Sequence, residues 1–276
     1  MAEPTERAEN GGISFLRAGR AGGAWPLVLL HGIGSNALSF APLMARLAGR
    51  RELLAWDAPG YGASVPLADE WPATTVYAHA LAAMLDRLGH KKIDLLGHSL
   101  GALIAGRFAA LYPDRVDKLV LASPALGYKT QPGEPLAPGA AARIDAMMNE
   151  GVGRFAAARG PRLVFRKDMT DVVTSVVKAM SEVKLPGFAQ SSRMLSTGDL
   201  ISDATLIMAR TLVLVGAQDE ITKPANCERL HDALVAASPT LRHRFEIVAQ
   251  AGHAVTQEQP EAVARLIDSH LTPAES

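Results

Sequence analysis

The chain has 276 residues, 28 Lys+Arg against 28 Asp+Glu for a formal net charge of zero, and 48% hydrophobic against 20% charged residues. Such a composition can bury a sizeable core, offers no global field or basic tract to nucleic acid or an anionic membrane, and with one cysteine, Cys227, excludes an internal disulfide. No apolar stretch approaches the roughly 18 to 20 residues that span a bilayer, and the polar start lacks an apolar leader segment, so the expectation is a cytoplasmic protein in a reducing compartment, with neither membrane nor nucleic acid as partner.

In chain order, residues 12–17 read as an edge strand, and runs at 26–30, 52–56, 92–96, 118–122, 211–215 and 244–248 read as buried strands because each is continuous rather than alternating. Segments of helical period at 39–48, 75–88, 101–111, 224–236 and 260–271 fall between them, the pattern of a parallel sheet covered by helices on both faces. Cys227 falls in the fourth of these helices, where its expected role is packing. Residues 126–202 break the rhythm with a Gly/Pro-rich stretch and short helical segments carrying Met147, Met148, Met169, Met180 and Met194. They predict a helical cap inserted in a core of 1–125 and 203–276, above the carboxyl ends of the strands, where open α/β sheets bind ligands. The methionines either line an adaptable apolar pocket or pack the cap's own small core. The first ten and last four residues are expected to be loose.

Ser99, in Gly97-His98-Ser99-Leu100-Gly101, sits where a strand-like run meets a helical one, the position of a nucleophile on a tight turn whose flanking residues must be small. A serine hydroxyl needs a base, and the base a carboxylate to set its tautomer. Of eight histidines, His253 follows the last strand-like run and leaves the same end of the sheet as Ser99. His79, His90, His231, His243 and His270 lie in contexts expected to be solvated, and His98 is expected to shape the pocket floor. Asp219 follows the 211–215 run, with Glu220 as its neighbouring alternative. Arg143, Arg154, Arg159, Arg162, Arg166 and Arg193 all fall in the cap; they either clamp a substrate carboxylate or lie on a solvated helical face. No H-E-x-x-H or other close ligand spacing points to a metal.

The order Ser99, Asp219, His253, together with His31-Gly32-Ile33-Gly34, Asp57-Ala58-Pro59-Gly60-Tyr61-Gly62 and Gly252-His253, resembles the α/β-hydrolase superfamily over nearly the whole chain. The resemblance implies an eight-stranded, mostly parallel sheet with helices on both faces, a helical cap after the sixth strand, and no cofactor. It implies oxyanion donors at the N–H groups of Ile33 and Leu100, with Gly34 able to replace Ile33, while His31 braces that loop and the 57–62 turn supports the fold. Substrate contacts are expected from Gly32, Gly34, His98, Met147 and Met194. With Met194-Leu195 and Asp199-Leu200 ahead of the 211–215 run and Glu258-Gln259-Pro260 after His253, the texture is similar to oxoadipate enol-lactonases and small-ester hydrolases, which implies a small ester, lactone or carboxylate-bearing substrate cleaved through an acyl-serine. Enzymes that split carbon–carbon bonds of vinylogous diketo acids are the alternative, although they typically carry Asn before the nucleophile and Trp after the base, where this chain has His98 and Ala254. A triad-bearing ligand receptor with little turnover is a further alternative.

Overall fold

The computed structural model describes residues 5–20, 22, 24–131 and 134–272. Among them, β1 (Glu6–Asn10), β2 (Ile13–Ala18), β3 (Leu27–Leu30), β4 (Leu53–Trp56), β5 (Ile93–His98), β6 (Val116–Ala122), β7 (Arg210–Gly216) and β8 (Arg244–Val248) form one sheet in the order β1-β2-β4-β3-β5-β6-β7-β8. β2 runs antiparallel to both β1 and β4, and the other pairs are parallel. Helices α1 (Ala41–Leu47), α2 (Thr74–Arg87) and α3 (Leu100–Leu111) connect the early strands. Between β6 and β7 come α4 (Pro138–Glu150), α5 (Val152–Arg159), α6 (Thr170–Ser181), α7 (Leu185–Thr197) and the short α8 (Leu200–Ala204), and α9 (Pro224–Ala237), α10 (Val255–Glu258) and α11 (Pro260–Leu271) complete the chain.

The continuous strand runs follow from two buried faces. Val28 and Leu30 of β3 join one apolar cluster with Leu81 of α2 and Leu103 of α3, whereas Leu27 and Leu29 join a second with Leu43 of α1 and Ile267 of α11. β8 departs from this rule because it is the sheet's edge, and Ile247 is 55% exposed there.

Three further expectations change. The strand near residue 12 is not an edge, because residues 6–10, expected to be loose, form β1 outside it; Gly11 (φ +58°) and Gly12 (φ +81°) make the turn that folds β1 back in register. The remaining loose positions, 1–4 and 273–276, lie outside the described residues. His270, expected to be solvated, is fully buried, and its Nε2 lies 3.1 Å from the carbonyls of both Leu119 and Arg210, stitching α11 to β6 and β7. Burial holds that imidazole down at about 4. Helix α8 straddles the expected end of the cap at residue 202 because it packs on α3 and α9, in the layer that covers the sheet.

The chain from β3 turns to β4 on one side, and β5 then forms on the other side of β3, so the loops after β3 and β5 diverge at a topological switch point. The loop after β3 is held by Asp57, at the end of β4. Its buried carboxylate accepts the Ala37 N–H (2.9 Å), the Ser14 hydroxyl (2.6 Å) and the Arg7 guanidinium of β1. The 57–62 turn supports the fold in this way, and Gly62 (φ +53°) has no room for a Cβ against that carboxylate. Replacing Asp57 by Ala strands a buried hydroxyl and a buried N–H, and should lower the unfolding free energy by about 2 to 4 kcal/mol. Urea denaturation checks this; a loss below about 0.5 kcal/mol, the range of an ordinary surface change, would refute the anchoring role.

Candidate active site

Ser99 stands between β5 and α3 with φ 54° and ψ −114°, a conformation that side-chain-bearing residues rarely adopt. The surroundings hold it there: its N–H donates to the Ala122 carbonyl (3.0 Å), and its own carbonyl accepts the N–H groups of Ala102 (3.0 Å) and Ala125 (3.2 Å). The two glycines of the motif are sterically required. A Cβ on Gly97 would enter the backbone of Gly101 and Ala102, and one on Gly101 would strike the carbonyl oxygens of Leu30 and His31. Strand end, helix start and the loop after β3 are therefore in backbone contact.

That contact brings Gly32 beside the serine, where a Cβ would lie 3.0 Å from Ser99 Cβ and 3.2 Å from His98 Nδ1. His31 Nδ1 donates to the Gly32 carbonyl (2.8 Å) and its Nε2 accepts the Ala58 N–H (3.0 Å), which defines a neutral tautomer that ties the loop to the 57–62 turn. Burial lowers its pKa accordingly. The Leu100 N–H is a first-turn donor of α3 without an intrahelical acceptor. Ile33 and Gly34 (φ +73°) follow Gly32 on the same loop.

At the other side of the site, Gly216 ends β7 with no space for a Cβ, which would meet the carbonyls of Ala251 and Gly252, so the loops after β7 and β8 abut. The Asp219 carboxylate accepts the N–H groups of Ile221 (2.8 Å) and Thr222 (2.9 Å), the Thr222 hydroxyl (2.8 Å) and His253 Nδ1 (3.0 Å). Burial alone would raise this carboxyl, but the adjacent His253 and these donors prevail and hold it well below the usual carboxylate range. Glu220 points outward and pairs with Lys223 at 3.3 Å. His98 donates through Nε2 to the backbone carbonyl of His253 (2.8 Å), with the rings 5.0 Å apart. Burial first, and the neighbouring His253 second, press His98 down to about 3, so it remains a neutral brace on the histidine loop.

Ser99, Ile33 and His253 open onto one cavity of about 310 Å³, at the small end of the range of roughly 300 to 1,000 Å³ typical of ligand pockets. Met180, Leu195, Leu163, Tyr128 and Thr222 also line it. Met147 and Met194, expected at the substrate, are instead buried in the apolar core and absent from the cavity wall; Met180 takes that place, 3.3 Å from where a Gly34 Cβ would stand. Helical spacing places these methionines on apolar faces but does not say which of them lines the cavity. Sequence reasoning assigned no structural role to Glu258, five residues after His253. Its buried carboxylate accepts the Gly252 N–H (2.7 Å) and the N–H groups of Phe165 (2.8 Å) and Arg166 (3.0 Å), while Ala254 N–H donates to the Leu163 carbonyl (2.9 Å). The segment at 163–166 is thereby fastened to the loop of His253. No described helix is long and apolar enough to cross a membrane.

An eight-stranded, mostly parallel sheet with a serine elbow at its switch point defines a class of fold, and the comparisons name it. Residues 27–266 match the model of the alpha/beta hydrolase family, and the chain belongs to that family. It is 30% identical over 255 residues to a putative 2-succinyl-6-hydroxy-2,4-cyclohexadiene-1-carboxylate synthase of Bacillus subtilis, covering 89% of this chain and 90% of that one. It is 27% identical to the 2-hydroxymuconate semialdehyde hydrolase of a Pseudomonas species, covering 93% and 90%. Among solved structures, the enol-lactonase of Burkholderia xenovorans superposes with a TM-score of 0.83 at 22% identity, over 97% of this chain and 100% of that one, a likeness of fold. Other curated relatives match over a shorter stretch, the alignment spanning 32% of their length.

Two outcomes follow. Because the Asp219 carboxyl titrates lower in the folded than in the unfolded chain, its contribution is complete above the unfolded value of about 3.9 and fades as pH falls below it. The stability deficit of Asp219→Asn should therefore shrink between pH 7 and pH 3, measured by paired denaturation curves, and a deficit constant with pH would contradict the assignment. Glu258→Ala leaves three N–H groups without their acceptor and should cost about 2 to 4 kcal/mol in urea denaturation; wild-type stability would show that water replaces the carboxylate.

Proposed function

We propose that the chain is a carboxylic ester or lactone hydrolase working through an acyl-serine. The observation that carries this reading is the His253 to Asp219 hydrogen bond of 3.0 Å at the cavity that Ser99 lines from a strained turn. In the reaction, Ser99 Oγ attacks the carbonyl carbon while His253 Nε2 accepts its proton, with Nδ1–H held on Asp219. The negative charge that forms on the carbonyl oxygen is met by the N–H groups of Leu100 and Ile33, each donor of this kind being worth about 10²- to 10³-fold in rate. His253 then protonates the departing alkoxide, and the acyl-serine remains. Water, relieved of a proton by the same nitrogen, attacks the acyl carbon, and collapse returns the proton to Ser99 and releases the acid. No metal or cofactor takes part in this scheme. The helices α4 to α7 act as the cap that excludes bulk water from the cavity.

A second reading, cleavage of a carbon–carbon bond in a vinylogous diketo acid, is supported by the likeness to the 2-hydroxymuconate semialdehyde hydrolase along most of the chain. The two are separated by a turnover screen of graded esters, lactones and a diketo acid. Ester or lactone turnover should exceed diketo acid turnover in kcat/KM, and Ser99→Ala should reduce it by about 10⁴-fold or more. Preference for the diketo acid would establish the second reading, and Ser99→Ala activity within tenfold of wild type would end both. Turnover confined to a single event per protein would identify a receptor.

A further inference from the structure

The cavity wall carries Arg143 of α4, Arg159 of α5 and, at its mouth, Arg229 of α9, and no Asp or Glu among the described residues lines it. Of the six cap arginines, the other four are turned elsewhere. Arg166 pairs with Asp168 at 2.6 Å, Arg193 donates to the Glu70 carbonyl at 2.8 Å, and Arg154 and Arg162 are exposed to solvent. Arg143 and Arg159 are half-buried and make no ion pair with a carboxylate among the described residues.

Arg143 is aligned rather than free. Its Nη2 donates to the Tyr128 hydroxyl (3.0 Å), its guanidinium lies 5.9 Å from the centre of that ring, and its Nε is buried without an acceptor. Tyr128 is fixed in turn: its N–H donates to the Leu195 carbonyl (3.2 Å), and the next two residues bond to Gly198 and Ser196 of the α7 end. Arg159 rests against Phe155, 6.0 Å from the ring centre. Its acidity is increased first by burial and then by the charges of Arg143 and Arg162. The two cations thus share the wall of one partly desolvated cavity, where their repulsion is screened less than in water and no carboxylate among the described residues lines the wall to offset it.

From this geometry we infer that Arg143 and Arg159 form a carboxylate subsite, so that the substrate is an ester or lactone whose acyl part bears a second, ionised carboxyl group. The inference rests on the hydrolase reading above. Guanidinium is suited to the role because its planar donors match a carboxylate two at a time. Tyr128 keeps one face of the subsite rigid, and the ester carbonyl is left for the Ser99 end of the same cavity. Arg229, on the rim, attracts the anion before it enters.

The test uses p-nitrophenyl hydrogen glutarate and its neutral counterpart, in which the distal carboxyl is a methyl ester. The wild-type protein should prefer the acid by at least about tenfold in kcat/KM, and Arg143→Gln and Arg159→Gln should each lower that preference by about 10- to 100-fold, chiefly through KM. Arg159→Lys should restore part of it. Equal rates on the two esters in the wild type, or equal losses on both in the variants, would overturn the subsite while leaving the hydrolase reading intact. If neither ester is turned over, the hydrolase reading fails on this class and the subsite is judged by calorimetry with glutarate. Binding by the wild type that Arg159→Gln weakens tenfold or more supports it, and no binding overturns it.

Discussion

The organisation of the site depends on the backbone contact among the end of β3, the end of β5 and the first turn of α3. Gly97 and Gly101 remove the side chains that would keep these segments apart, and the turn at Ser99 is left with a φ of 54° that three backbone hydrogen bonds stabilise. Such a conformation persists only where the surroundings over-determine it. Here the parallel register of β3 with β5, pairing Leu30 with Gly97, supplies that constraint. The same contact sets Gly32 beside Ser99, so the serine and the loop that could receive an oxyanion are positioned by one piece of packing.

Three imidazoles meet around this point, and their environments separate their roles. His31 uses both nitrogens on backbone groups, and His98 spends Nε2 on the carbonyl of residue 253. Both are depressed by burial and stay neutral. His253 has its Nδ1 on Asp219. The segment at 163–166 enters the same construction through Glu258, whose carboxylate gathers N–H groups from the histidine loop and from residues 165 and 166.

Much of this was legible along the chain. The parallel strands appear as unbroken apolar runs because both faces of the sheet are covered, and the 260–271 helix is found at the bounds its amphipathic period suggests. Ser99, Asp219 and His253 could be marked because each lies just past a strand end, and strand ends in such a sheet share one rim. β1 was missed: it is short and polar, with exposed and half-buried positions, and owes its existence to pairing with β2 and to the grip of Arg7 on Asp57. His270 was misjudged because local context cannot reveal that a helix will press an imidazole onto two strand carbonyls.

Local pattern by itself therefore determined the class of fold and marked three residues at the strand ends as candidates, since steric demands at tight turns and the periodicity of buried faces are written in consecutive residues. Tertiary structure alone decided that Met180 and not Met147 or Met194 reaches the cavity, that Arg143 and Arg159 line it, and that Glu258 fastens residues 165 and 166 to the loop of His253. Those outcomes depend on how helices rotate about their axes when they pack on a distant surface, and nothing in the spacing of neighbouring residues specifies that angle.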